Sequence, residues 1–129
     1  MTIVVGYTTR PEGRAALEKA IVEAKTHGES LVVLNVSDGD GMRDPLLASE
    51  DDLNEVRAHL AQAGVEGTVR QLVRGKDAAE EIEAVSAEVG ASLIVIGLRK
   101  RTPVGKLVLG SNSQRILLNA AVPVLAVKA

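Results

Sequence analysis

The chain has 129 residues, of which 46% are hydrophobic and 25% charged, and its formal net charge is −2. This balance excludes a general electrostatic attraction to nucleic acid or to a membrane surface. The absence of cysteine excludes disulfides, thiolate catalysis and cysteine-bound metals. Tyr7 is the only aromatic residue, which counts against base stacking on single-stranded nucleic acid. We therefore expect a single domain over residues 1–129, with a core of Val, Leu, Ile and Ala.

Short apolar runs alternate with helical patterns along the whole chain. The runs that predict strands are residues 3–5, 31–36, 68–73, 93–96 and 122–127. Three of the helices are expected to begin with capping boxes, at the pairs Thr9 and Glu12, Ser49 and Asp52, and Asp77 and Glu80. The segment from Ser37 to Ala48 is a long loop, of a kind that often has a function in compact domains. No apolar run reaches the roughly 18 residues that span a bilayer, so we expect a cytoplasmic protein without a membrane partner.

The order of strands and helices predicts the fold class. Regular β-α alternation is typical of a doubly wound α/β fold, with a five-stranded parallel sheet covered by helices on both faces. The expected strand order is 3-2-1-4-5. The order then reverses between the first and fourth strands, and ligands of such sheets bind outside the carboxyl ends of the strands at that point. The loops expected to meet there are residues 6–10 and 97–111.

The loop after the fourth strand has the features of an anion site. An apolar run stops at Gly97, a basic loop with Arg99 and Lys100 follows, and Gly110 and Ser111 lead into a helical pattern. Gly97 has two interpretations, a turn that needs positive φ or a close approach of the backbone to a ribose or phosphate. Ser111 also has two, since it fits a capping box with Gln114 and equally a phosphate contact.

These residues carry a resemblance to the universal stress protein family. Its nucleotide-binding members have the motif G-x2-G-x9-G-[ST], which reads here as Gly97, Lys100, Gly110 and Ser111. The opening VVG…RAAL and the closing RILLNAAVPVLAV are also similar to the family. The resemblance implies a Rossmann-like fold of the adenine nucleotide alpha-hydrolase type. It also implies a pocket for ATP or another adenine nucleotide, with Mg²⁺ only as the counter-ion, and a homodimer through the strand from Val122 to Val127.

Two departures from the family pattern affect this pocket. Thr8 stands where nucleotide-binding members have an Asp, and Lys100 replaces the second glycine of the motif. Losing a charge-assisted hydrogen bond costs about 1.5–3 kcal/mol, or about 10- to 100-fold in affinity. The resemblance still assigns the nucleotide contacts to one set of residues: Thr8, Val36 through its backbone, Gly97, Arg99, Lys100, Gly110, Ser111 and Ser113.

The leading hypothesis is a cytoplasmic stress-response module that binds an adenine nucleotide weakly as a regulatory ligand. The alternative is a nucleotide-independent interaction module in which the glycine loop is only structural. Slow ATP hydrolysis is the weakest hypothesis, because the sequence contains no recognisable catalytic set and no metal-ligand set beside the loop. We therefore do not expect an enzyme.

Overall fold

The computed structural model of the protein describes residues 1–37, 47–73, 76–98 and 111–129. The predicted alternation of strands and helices is confirmed. The elements are β1 (Thr2–Gly6), α1 (Pro11–His27), β2 (Ser30–Ser37), α2 (Glu50–Ala63), β3 (Gly67–Val73), α3 (Ala78–Val89), β4 (Ala91–Leu98), α4 (Ser111–Asn119) and β5 (Val124–Lys128). Within these ranges, no helix has the length and apolar character needed to cross a bilayer.

The strands form one parallel sheet in the order β3-β2-β1-β4-β5, as predicted. The first strand lies at the centre, where Val4 is in register with Val32 of β2 and Ile94 of β4. Parallel strands buried on both faces are apolar almost throughout, which explains the continuous runs in the sequence. The strand β3 at the edge of the sheet has no fully buried residue.

Helices cover both faces of the sheet and divide the core into two layers. The α1 and α2 layer contains Ile3, Val5, Ala16, Leu17, Ala20, Ile21, Ala24, Leu53, Val56 and Leu60, all buried. The α3 and α4 layer contains Val4, Ala79, Ile82, Val85 and Ile116, which are also buried. Because α1 follows β1 and α4 follows β4, the chain leaves the two neighbouring strands towards opposite faces. In doubly wound sheets, ligands bind outside the carboxyl ends of the strands at such a point, which here lies between β1 and β4.

The helix starts only partly follow the sequence-based expectation. The capping box of Ser49 and Asp52 is confirmed, and hydrogen bonding to Ser49 lowers the pKa of the Asp52 carboxyl. Asp77 caps α3 as predicted, accepting from the Glu80 N–H at 2.9 Å. The predicted Thr9 capping box is wrong, since Arg10 is the N-cap of α1 and makes no side-chain cap. Proline at the first helical position favours an extended conformation in the preceding residue, so the helix starts one residue later than the Thr9 box requires.

Three smaller expectations are also corrected. The last strand begins at Val124, because Pro123 has no N–H to give and instead accepts from the Ile94 N–H at 3.0 Å. On α3, Glu81 and Ser86 are buried although they are polar, which an apolar core of Val, Leu, Ile and Ala does not predict. A capping box at Ser111 requires this residue to precede the helix, but α4 already begins at Ser111.

Candidate functional site

Gly97 lies inside β4 rather than in a turn. Within the described ranges, positive φ occurs only at Gly28, Gly64 and Gly90, so the turn interpretation of Gly97 is wrong. A Cβ built on Gly97 would lie 2.1 Å from the Glu12 carbonyl oxygen and 2.5 Å from its carbonyl carbon. The first turn of α1 therefore packs directly on the β4 backbone. Glycine is needed here because a methyl group does not fit between the strand and the helix.

Thr8 lies where the chain passes from β1 to α1, beneath the same helix. A Cβ on Gly13 would be 2.3 Å from Thr8 Oγ1 and 2.4 Å from the Thr8 carbonyl oxygen. The hydroxyl is shielded from solvent and has no hydrogen-bond partner among the residues that the structure describes. Two glycines, Gly13 on α1 and Gly97 on β4, thus let α1 sit close to the carboxyl edge of the sheet. Thr8 lies between the end of β1 and α1, at this edge of the sheet.

The buried side-chain amide of Asn35 on β2 links the segment after β1 to β3. Asn35 on β2 is fully buried and donates from Nδ2 to the Tyr7 carbonyl oxygen at 2.9 Å. Its Oδ1 accepts from the Ala48 N–H at 2.9 Å and from Gln71 Nε2 at 3.0 Å. The same Gln71 nitrogen donates to the Ala48 carbonyl oxygen at 2.7 Å. We call this set of Asn35, Gln71, Ala48 and Tyr7 the amide clamp.

The amide clamp was missed by sequence reasoning, although one signal was available. Asn35 is the only polar residue in the apolar run of residues 31–36, and a buried polar group is expected to be hydrogen-bonded. Its partners belong to three other segments, and no local pattern identifies them. The predicted nucleoside residue Val36 follows Asn35 directly and is half-buried near the end of β2.

An ion pair links the last helix, α4, to the start of α3. Arg115 Nη1 donates to Asp77 Oδ2, while the other oxygen of the same carboxylate caps α3. Ile116 is 2% exposed and anchors the helix in the core. Ser113 is half-buried, and Ser111 is the first residue of α4. The N-terminus of this helix therefore lies at the carboxyl edge of the sheet, where a parallel β4 delivers it.

Part of the predicted site lies outside the described residues. This applies to Arg99, Lys100 and Gly110, and to the side chain of Ser111. Most of the Ser37 to Ala48 loop, residues 38–46, is likewise outside them. Among the residues that the structure does describe, no group of His, Asp and Glu side chains has the arrangement of a metal site. Of the predicted set, Thr8, Val36 and Gly97 lie at the ends of three adjacent strands.

Burial raises the pKa of the Tyr7 phenol, with Arg14 opposing the shift and Asp52 adding to it. The Tyr7 phenol therefore ionises at a lower pH in the unfolded chain than in the folded protein. Its contribution to the free energy of unfolding is complete below the ordinary tyrosine pKa near 10 and falls as the pH rises above that value. As the only aromatic residue, Tyr7 is expected to show this shift in an ultraviolet absorbance titration of the folded protein. Arg14→Gln should raise the pKa of Tyr7 further and Asp52→Asn should lower it. A normal pKa in the wild type would contradict the burial of this ring.

The amino-acid sequence matches the model of the universal stress protein family over residues 1–128. The chain belongs to this family. A universal stress protein of Mycolicibacterium smegmatis (strain ATCC 700084 / mc(2)155) is 48% identical over 126 residues, which are 98% of this chain and 96% of the relative. The resemblance inferred from the glycine motif is therefore confirmed.

Solved structures of family members have the same fold. A universal stress protein from Archaeoglobus fulgidus has a TM-score of 0.82 and 32% identity, with 98% of this chain and 97% of that chain covered. The universal stress protein from Archaeoglobus fulgidus in complex with dAMP has a TM-score of 0.74 and 26% identity, covering 98% and 96%. Both proteins share the fold of this chain, and the second of them binds an adenine nucleotide.

Proposed function

We propose that this universal stress protein is a cytoplasmic stress-response module that binds an adenine nucleotide weakly as a regulatory ligand. The observation that carries the proposal is the reversal of the strand order at the carboxyl ends of β1 and β4, beside the start of α4. Backbone N–H groups and the positive end of a helix favour an anion at such a position. The related dAMP complex from Archaeoglobus fulgidus supports an adenine nucleotide as that anion.

The proposed contacts divide into a phosphate side and a nucleoside side. Gly110, Ser111 and Ser113 would bind phosphates, with Arg99 and Lys100 as charge partners. Thr8 and the Val36 backbone would face the nucleoside, and Mg²⁺ would enter only as the counter-ion of ATP. Gly97 would contribute indirectly, because it allows the first turn of α1 to pack against β4, next to the segment that contains Thr8. The role is binding and regulation rather than catalysis.

Restoring the usual family carboxylate at position 8 tests this proposal. Thr8→Asp is expected to raise the affinity for ATP by about 10-fold, because a carboxylate gains a charge-assisted hydrogen bond to the nucleoside. The affinity is measured by equilibrium dialysis. Thr9→Asp, which adds the same charge one residue along, is the control and should leave the affinity within about twofold of the wild type. Equal effects of the two variants would contradict the assignment of Thr8 to the nucleoside side.

A nucleotide-independent interaction module is the second candidate. Two observations favour it, the Thr8 hydroxyl that is shielded from solvent and the lysine in place of the second motif glycine. If φ is positive at position 100, a lysine there costs about 1–2 kcal/mol relative to glycine. In this case the glycine motif serves only the packing of the fold, and Thr8→Asp does not produce nucleotide binding.

We further propose that the protein is a homodimer through β5, the strand that the sequence predicts from Val122 to Val127. The strand lies at the edge of the sheet, and residues 124–127 are half-buried although they are apolar. An apolar edge strand presents unpaired backbone groups and favours pairing with another chain. Sedimentation velocity is expected to show a dimer at tens of micromolar. A stable monomer at this concentration would contradict the proposed pairing.

A further inference from the structure

The amide clamp is a partly buried polar network that the proposed nucleotide contacts do not include. It satisfies both backbone polar groups of Ala48 with side chains, although Ala48 lies just before α2 rather than in an element. It also holds the Tyr7 carbonyl, beyond the end of β1. One asparagine therefore fixes the exit of β1 and the entry to α2 relative to β2 and β3.

The clamped residues adjoin the proposed nucleoside contacts in the chain. Tyr7 directly precedes Thr8, and Asn35 directly precedes Val36. The Tyr7 N–H donates to the Leu34 carbonyl oxygen at 2.8 Å, so the exit of β1 is held by β2 on both sides of the Tyr7 residue. A shift of the clamp therefore moves the two residues that would line the nucleoside wall. Phosphate contacts at the start of α4 lie on the other side of β1 and do not share these bonds.

We propose that Asn35 and Gln71 are positioning residues for the nucleoside, acting through Tyr7 and Ala48. The inference rests on the proposed nucleotide function. Ligand affinity depends on preorganised walls, because any ordering left until binding subtracts from the free energy of binding. Gln71 is the better of the two residues to substitute in a test of this role. It lies on the exposed edge strand, where an apolar side chain would be expected to cost little stability, yet its amide reaches inward to two acceptors.

The experiment compares Gln71→Met with Thr68→Met, a matched change at an equally exposed position of the same strand. Thr68 is not a member of the amide clamp. Affinities for AMP and ATP are measured by calorimetry well below the melting temperature of each variant. Gln71→Met is expected to weaken AMP and ATP binding by the same factor, about fivefold, since both ligands share the nucleoside. Thr68→Met is expected to match the wild type with both ligands.

The two affinities themselves separate positioning from a merely structural role, and their ratio separates the nucleoside side from the phosphate side. A structural role would lower the melting temperature of Gln71→Met and leave both affinities unchanged, which would overturn the inference. A larger loss for ATP than for AMP would place the effect on the phosphate side and would also overturn it. If the wild type binds neither ligand, the proposed function itself fails, and the inference fails with it. Wild-type binding together with an unaffected Gln71→Met removes the inference alone.

Discussion

Gly97→Ala is expected to destabilise the protein by about 3 kcal/mol, even without any ligand. The added methyl group would lie 2.1 Å from the Glu12 carbonyl oxygen, which belongs to the helix backbone and cannot rotate away like a side chain. Relief requires α1 to move off β4, and the buried residues Ala16 and Leu17 would move with it. Urea unfolding followed by far-ultraviolet circular dichroism measures the change, because the chain has no tryptophan.

Gly28→Ala is the control for this prediction. Gly28 has φ of 65°, and a Cβ at this position meets no atom within 4 Å. Its replacement is expected to cost about 1 kcal/mol from backbone strain alone, without any clash. If Gly97→Ala were no more destabilising than Gly28→Ala, the close packing of α1 on β4 would be contradicted. Gly97 would then be needed for a ligand rather than for the fold.

Asn35→Ala is expected to cost about 4 kcal/mol, because it removes the shared partner of three polar groups. The Tyr7 carbonyl and the Ala48 N–H would lose their hydrogen bonds in a buried region, and Gln71 would keep only its bond to Ala48. The same unfolding measurement applies. Asn54→Ala is the matched control, since Asn54 is exposed and its Oδ1 accepts from Arg57 at the surface, and it should change stability by less than about 0.5 kcal/mol.

Asn35→Asp gives a second test of the same network through its pH dependence. An ionised carboxylate cannot donate to the Tyr7 carbonyl, whereas the protonated acid can. Burial and this hydrogen bond favour the neutral acid, whereas the donors Ala48 N–H and Gln71 Nε2 favour the carboxylate. We expect the burial of a fully enclosed carboxyl to be the larger effect, so its pKa should be raised in the folded state. The stability of Asn35→Asp relative to the wild type should then be greatest at low pH and fall as the pH rises. A constant difference across pH would contradict the bond between Asn35 and Tyr7.

The fold was predictable because its determinants are local and repeated. Apolar runs, helix stops and regular alternation define a parallel sheet, and the connection rules for such sheets reduce the possible strand orders to few. The start of α1 was predicted wrongly because two local signals compete there. The Thr9 capping pattern was overridden by Pro11, which makes Arg10 the N-cap.

The strand ends at which the candidate site is proposed were predictable, but the contacts of the residues there were not. The topology brings Thr8, Val36 and Gly97 to neighbouring strand ends, as the strand order implies. The reason for glycine at position 97 could not be read from the sequence, because the crowding atom belongs to Glu12 in a distant segment. The partners of Asn35 were hidden for the same reason. Contacts between segments far apart in the chain leave no periodic pattern.

Nucleotide binding by the wild-type protein tests the central proposal most directly. Calorimetric titration with ATP is expected to show saturable binding with a Kd on the order of tens to hundreds of micromolar, reflecting the loss of the usual carboxylate. Gly110→Val should abolish this binding while leaving the urea unfolding midpoint largely unchanged. The absence of saturable binding below about 1 mM in the wild type, about 4 kcal/mol of binding free energy, would contradict the nucleotide function.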